Sequence, residues 1–172
     1  MKTNYFAAPL VALLCAPGLG QAQVPLALAL DAMQAARLSC EAKGYRISAS
    51  AVDLSGVERA FIRGDGATVH THETAFKKAY TVVTAGPIFQ VTTSGQLTEK
   101  ISKTPTGPAL STISNVLLLA GGVGLQSGGV IIGALGVGGA PGGALDEACA
   151  QAGVAAVQAR LDALAPSAAR QR

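Results

Sequence analysis

Apolar positions recur at helical spacing at both ends of this chain, and in alternating or short continuous runs between them. Ala29, Met33, Ala36 and Cys40 fall on one face of a helix expected over residues 30–43, with Gly44 placed to end it. Ile47 to Val52 reads as a strand in which Ser48 and Ser50 alternate with apolar neighbours. Asp53-Leu54-Ser55-Gly56 is turn chemistry, and Val57 to Ile62 is the returning strand of a hairpin. Arg63-Gly64-Asp65-Gly66 makes a second turn. A second helix is expected from Thr71 through Phe76, Ala79, Tyr80 and Val83 to about Ala85, stopped by Gly86 and Pro87. Thr71 is positioned to cap the backbone N–H of Thr74, and Glu73 complements the positive helix end.

Residues 88–115 are rich in Thr and Ser and contain Pro105 and Pro108; a short helix over residues 95–102 and a loop are expected. Residues 116–140 carry no charge, and their length suits a membrane span. Nine of them are glycine, each costing about 1 kcal/mol inside a helix, so a span is rejected. The glycines cluster at Gly121-Gly122 and Gly128-Gly129, flanking apolar runs at Val116 to Leu119 and Val130 to Val137. That pattern predicts a buried antiparallel hairpin. A last helix is expected over residues 145–164, with Cys149, Val157, Leu161 and Leu164 on one face. Strands that come in hairpins between helices argue for a single α+β domain with an antiparallel sheet, and against a doubly wound parallel one.

Composition refines this picture. The chain is 49% hydrophobic but only 4% aromatic, with no Trp, so its core is built from Ala, Val, Leu and Ile. The formal net charge of +3 is scattered, and no Lys/Arg run marks a nucleic-acid surface. Lys2, the apolar run Tyr5 to Leu14, the break at Pro17-Gly18 and the small residues of Gly20-Gln21-Ala22 have the form of a secretory signal. Cleavage is expected after Ala22, leaving a domain over residues 23–165, a tail over 166–172, and a periplasmic or secreted location. Leu14 stands where a lipoprotein signal before Cys15 requires a small residue. Cys40 and Cys149 then remain, as one disulfide or as two buried thiols.

Several stretches, in order, carry a family resemblance: Ala51-Val-Asp-Leu-Ser-Gly56, Arg63-Gly-Asp-Gly66, His70-Thr-His-Glu-Thr74 and Lys78-Ala-Tyr-Thr81. They continue with Leu119-Ala-Gly-Gly-Val123, Ser127-Gly-Gly-Val-Ile-Ile-Gly-Ala-Leu-Gly-Val137 and Asp146-Glu-Ala-Cys149. From about residue 26 to 160 the chain resembles the HbpS/GlcG-like family, which also supplies the C-terminal domain of some cobalamin adenosyltransferases. It departs from the family pattern between Pro87 and Ser114, and Gly124 stands where many members have Pro. The resemblance implies a profilin-like fold with an antiparallel sheet of about five strands, and a homo-oligomer. It further implies haem as ligand, another tetrapyrrole or a metal ion being the lesser alternatives.

The histidines that would remain, His70 and His72, sit together at the start of the second helix. The positive helix end favours neutral imidazole, the form that binds iron. The family's His-Thr position makes His70 the expected axial ligand, and His72 a second ligand or a surface residue. Arg63, Lys77 and Lys78 are candidate partners for haem propionates, or ordinary surface charges. Tyr80 is a candidate for stacking on or ligating a porphyrin, or a core residue with its hydroxyl at the surface. The glycines of residues 121–139 would let a flat ligand approach the backbone, or simply serve turns and close packing. No nucleophile elbow, phosphate-cradling Gly-Lys-Ser/Thr, His-Glu-x-x-His or Cys-x-x-Cys is present. The leading expectation is therefore an exported, non-enzymatic haem binder for scavenging or sensing. The alternatives are an enzyme or accessory for a small metabolite such as a 2-hydroxy acid, with a polar pocket of Arg63, Asp65 and one His, and an oligomeric interaction module.

Overall fold

A computed structural model describes residues 23–165. The expected signal segment with its cleavage point and Cys15, and the tail from Pro166, lie outside the described residues. The order is α1 (Leu26–Glu41), β1 (Ser48–Val52), β2 (Glu58–Arg63), α2 (Thr71–Phe89), α3 (Ser94–Ile101), α4 (Thr106–Leu110), β3 (Gly122–Ser127), β4 (Val130–Gly138) and α5 (Gly143–Asp162). The strands form one antiparallel sheet in the order β2-β1-β4-β3, in keeping with the α+β expectation of about five strands. Helices α1 and α5 cover one face and α2 covers the other. No helix among the described residues is long and apolar enough to cross a membrane.

The main core lies between the sheet and the α1/α5 pair. Ala29, Met33, Ala36 and Cys40 of α1 are fully buried there, as their spacing predicted. Leu125, Leu135 and Val137 reach the same core from the sheet, and Val157 and Leu161 from α5. Leu164, expected on that face of α5, lies beyond the end of the helix and is exposed. Cys40 and Cys149 form a disulfide with Cα atoms 5.6 Å apart, which ties α1 to α5.

The other face is built differently. Gly122 and Gly136 turn bare backbone toward α2: a Cβ at Gly136 would collide with the carbonyl oxygen of Ala75, and one at Gly122 with that of Lys78. The helix therefore sits almost directly on the strands. This explains a displaced element. Val116 to Leu119 is not a strand, and Gly121-Gly122 is not a turn; β3 begins at Gly122 because the close approach of α2 requires glycine within the strand. The hairpin turn is Gly128-Gly129, with φ of +57° and +81°, both left-handed.

Helix α2 also differs from expectation at both ends. It runs on to Phe89 with Pro87 inside its last turn, where the missing N–H costs little helix, and Gln90 closes it at φ 53°. At its start Thr71 is the first helical residue and not the cap. The Thr71 hydroxyl donates to the carbonyl of Thr68 (2.6 Å), so the Ser48 hydroxyl is the donor in the 2.7 Å contact between them. The N–H of Thr74 bonds instead to the carbonyl of His70 (3.1 Å). In the Thr/Ser-rich segment, α3 carries a capping box between Thr93 and Gln96, and α4 is an additional short helix. The backbone of Thr92 accepts from Gly124, which covers the outer edge of β3.

Candidate functional site

The loop that delivers α2 is closed by a side chain. Arg63 donates through Nε and Nη2 to the carbonyl of Ala67 at 2.9 and 2.6 Å, and Ala67 N–H bonds back to Gly64. His70 follows as the N-cap of α2, exposed, with no side-chain cap bond. Its ring makes no hydrogen bond or ion pair with the described residues. It lines a cleft of about 260 Å³ together with Thr68, Thr74, Lys78, Leu119, Asp146 and, from the turn before α5, Gly139, Ala140, Gly142 and Gly143.

His72 is placed otherwise. Its Nε2 meets both carboxylate oxygens of Glu58, at 3.0 and 3.2 Å, and its ring packs on Phe61 with centroids 4.0 Å apart. The Ser50 hydroxyl donates to the same Glu58 (2.7 Å). His72 lines a separate cleft of about 400 Å³ with Gly56, Glu58, Glu73 and Phe76. The two histidines are thus not brought to one site. Tyr80 continues the face of α2 that carries Phe76, their ring centroids 5.8 Å apart, and is half-buried against Gly56.

The lysines part company. Lys77 pairs on the surface with Glu73 at 2.6 Å, and this contact holds the Glu73 carboxyl below its ordinary pKa. Lys78, one residue later, is 1% exposed. Its Nζ reaches Asp146 at 2.6 Å and the carbonyl of Val137 at 3.0 Å. The expectation of a surface charge at Lys78 is therefore corrected: the ammonium belongs to an internal ion pair. Asp146 also accepts from the N–H of Ala140 (2.9 Å), and burial pushes its carboxyl above the usual aspartate range despite the lysine. Sequence reasoning missed Asp146. The available signal was a lysine three residues after Ala75 and four before Val82, within an otherwise apolar helix face, where a charge needs an internal partner.

Glu147, next to it, binds the Thr93 hydroxyl (3.0 Å) and the N–H groups of Gly95 (2.9 Å) and Gly121 (3.1 Å). This carboxylate fastens the start of α3 and the entry to β3 onto α5. Asp53 serves its turn, accepting from the N–H groups of Ser55 (2.9 Å) and Val57 (3.1 Å). Asp65 is exposed, and none of these clefts brings Arg63, Asp65 and a histidine together. No group of three or more His, Cys, Asp or Glu among the described residues forms a metal cluster.

A four-stranded antiparallel sheet between one helix and a disulfide-tied helix pair, with clefts around the helix starts, defines a small α+β domain. The chain belongs to the HbpS-like family, whose model, "Haem degrading protein HbpS-like", matches residues 24–155. A double mutant of HbpS from Streptomyces reticuli superposes with a TM-score of 0.71 at 33% identity, over 88% of this chain and 97% of that one. Protein ORFY of Klebsiella pneumoniae (TM-score 0.70, 21% identity, 84% and 97% covered) shares the fold. So does the protein in the PduOC:heme complex (0.67, 24%, 78% and 95%). No curated protein sequence matches significantly.

Proposed function

We propose that this protein binds haem, with His70 as the axial ligand. The observation that carries the reading is an imidazole without a hydrogen-bond or ion-pair partner among the described residues, lining a cleft, in a chain of the HbpS-like family. The residues present fit the group: the ring at position 70 can offer a nitrogen lone pair to iron, and Leu119, Ala140 and the glycine turn give the cleft an apolar wall. When bound, haem would supply the iron; the chain supplies the ligand and the wall. His72 fits less well, because Nε2, the nitrogen farther from the backbone, already faces Glu58.

Titration with haemin tests the reading. A Soret shift that is lost in His70→Ala and kept in His72→Ala is expected, and an unshifted wild-type spectrum would defeat it. The signal-like residues before Gln23 and the Cys40–Cys149 bridge support a protein exported to an oxidising compartment, where haem would be scavenged or sensed. Cell fractionation with mass measurement of the mature chain tests export. Sedimentation tests the homo-oligomer that the family resemblance implies.

A further inference from the structure

The cleft at His70 is small for its ligand: at about 260 Å³ it falls below the roughly 300–1,000 Å³ typical of small-molecule sites. A second cleft adjoins it. Leu119 and Gly143 line both the first cleft and the second, of about 390 Å³, which runs along the first turns of α5 toward α3. Its floor is the exposed side of α5 at Ala144 and Ala148, one helical turn apart, and its far wall includes Gln96 and Glu99 of α3. Glu147, which also lines this second cleft, fastens the start of α3 to α5 through Thr93 and Gly95 and so fixes the two walls relative to each other.

We infer that the two clefts form one trough for a planar macrocycle. In it Ala144 and Ala148 are the specificity-determining residues, their small side chains leaving room for the ring beyond Leu119. The inference rests on the haem reading above for its ligand, but concerns the bed and not the iron. Any larger side chain at these two positions would occupy the space the ring needs. Glu99 at the far wall repels carboxylates, so a macrocycle bearing propionates would turn them outward to solvent.

The test uses haemin and metal-free protoporphyrin IX as probes, read by absorbance and by fluorescence. Variants are the double Ala144→Leu/Ala148→Leu, His70→Ala, and Ala155→Leu as a control at an exposed position of α5 outside the trough. Leucine is a strong helix former, so α5 is retained, as circular dichroism and Tm would verify. The double variant is expected to weaken both macrocycles at least about tenfold, a loss of roughly 1.4 kcal/mol. Ala155→Leu should match wild type, and His70→Ala should weaken haemin alone. A folded double variant that binds both probes like wild type overturns the inference and leaves the His70 reading standing. Haemin binding unchanged in His70→Ala but lost in the double variant overturns the axial ligand and upholds the trough. A wild-type protein that binds neither probe overturns both.

Discussion

The ammonium of Lys78 and the carboxylate of Asp146 lie 2.6 Å apart with side chains only 1% and 4% exposed, joining the middle of α2 to the first turn of α5 across the end of the sheet. Removing one partner strands the other charge in the interior. Lys78→Met is therefore expected to destabilise by about 3–5 kcal/mol, and Lys78→Met/Asp146→Leu to recover most of that loss. Urea unfolding of the three proteins checks both statements; a single variant within about 1 kcal/mol of wild type would show the pair to be dispensable.

The same pair gives stability a pH dependence of defined sign. Burial raises the Asp146 carboxyl above its unfolded value, so between the two values the native state holds more protons than the unfolded chain. Its contribution is complete below the ordinary aspartate range, near pH ~4, and is lost as pH rises through the folded-state value. Glu73 acts oppositely: Lys77 lowers its pKa, so its contribution is present above the ordinary glutamate range and lost as pH falls. Glu73 is exposed, and its share should fade in ~0.5 M NaCl. The urea midpoint at that salt should fall with rising pH in wild type relative to Asp146→Asn. A flat difference between the two would contradict the assignment.

Reduction should be costly. The Cys40–Cys149 bridge spans a sequence separation of 109 residues. Closing a loop of that size stabilises by about 4–5 kcal/mol in the chain-entropy treatment. Cys40→Ala/Cys149→Ala is expected to unfold at a markedly lower urea concentration than the oxidised protein, with the reduced wild type close to the variant. Equal midpoints with and without reductant would rule out a stabilising bridge.

Two glycines should behave in opposite ways. Gly136→Ala forces a methyl into the Ala75 carbonyl and must push α2 off the sheet, so a loss of at least about 3 kcal/mol, or failure to fold, is expected. Gly142→Ala meets no atom within 4 Å, in extended backbone, and should stay within about 1 kcal/mol of wild type. Thermal unfolding of both variants decides; a stable, soluble Gly136→Ala protein would show that the helix can retreat at little cost.

Local periodicity carried much of this fold. The buried face of α1, the β1–β2 hairpin around Asp53 and the glycine turn at 128–129 follow from side-chain spacing and turn chemistry that act within a few residues. The first strand of the second hairpin did not, because Gly122 and Gly124 answer to α2 and Thr92, partners far away in sequence. Lys77 and Lys78 look alike in the sequence, yet the roughly 100° turn between successive helical residues puts one at the surface and one inside. The candidate site was legible in the sequence only where a residue type carries chemistry. His70 stands out by residue type, whereas Ala144 and Ala148 have no chemistry of their own and gain meaning only from the space left between α5 and α3.

Because α2 meets the strands through bare main chain at Gly122 and Gly136, beside the side-chain cluster of Val52, Val82 and Ala134, the two faces of the sheet should age differently under mutation. On the α1/α5 side a lost methyl in one residue can be regained in a neighbour, so paired substitutions can drift. At Gly122 and Gly136 there is nothing to exchange, and the helix that bears His70 is held in place by a seam that sequence change can break but not re-tailor.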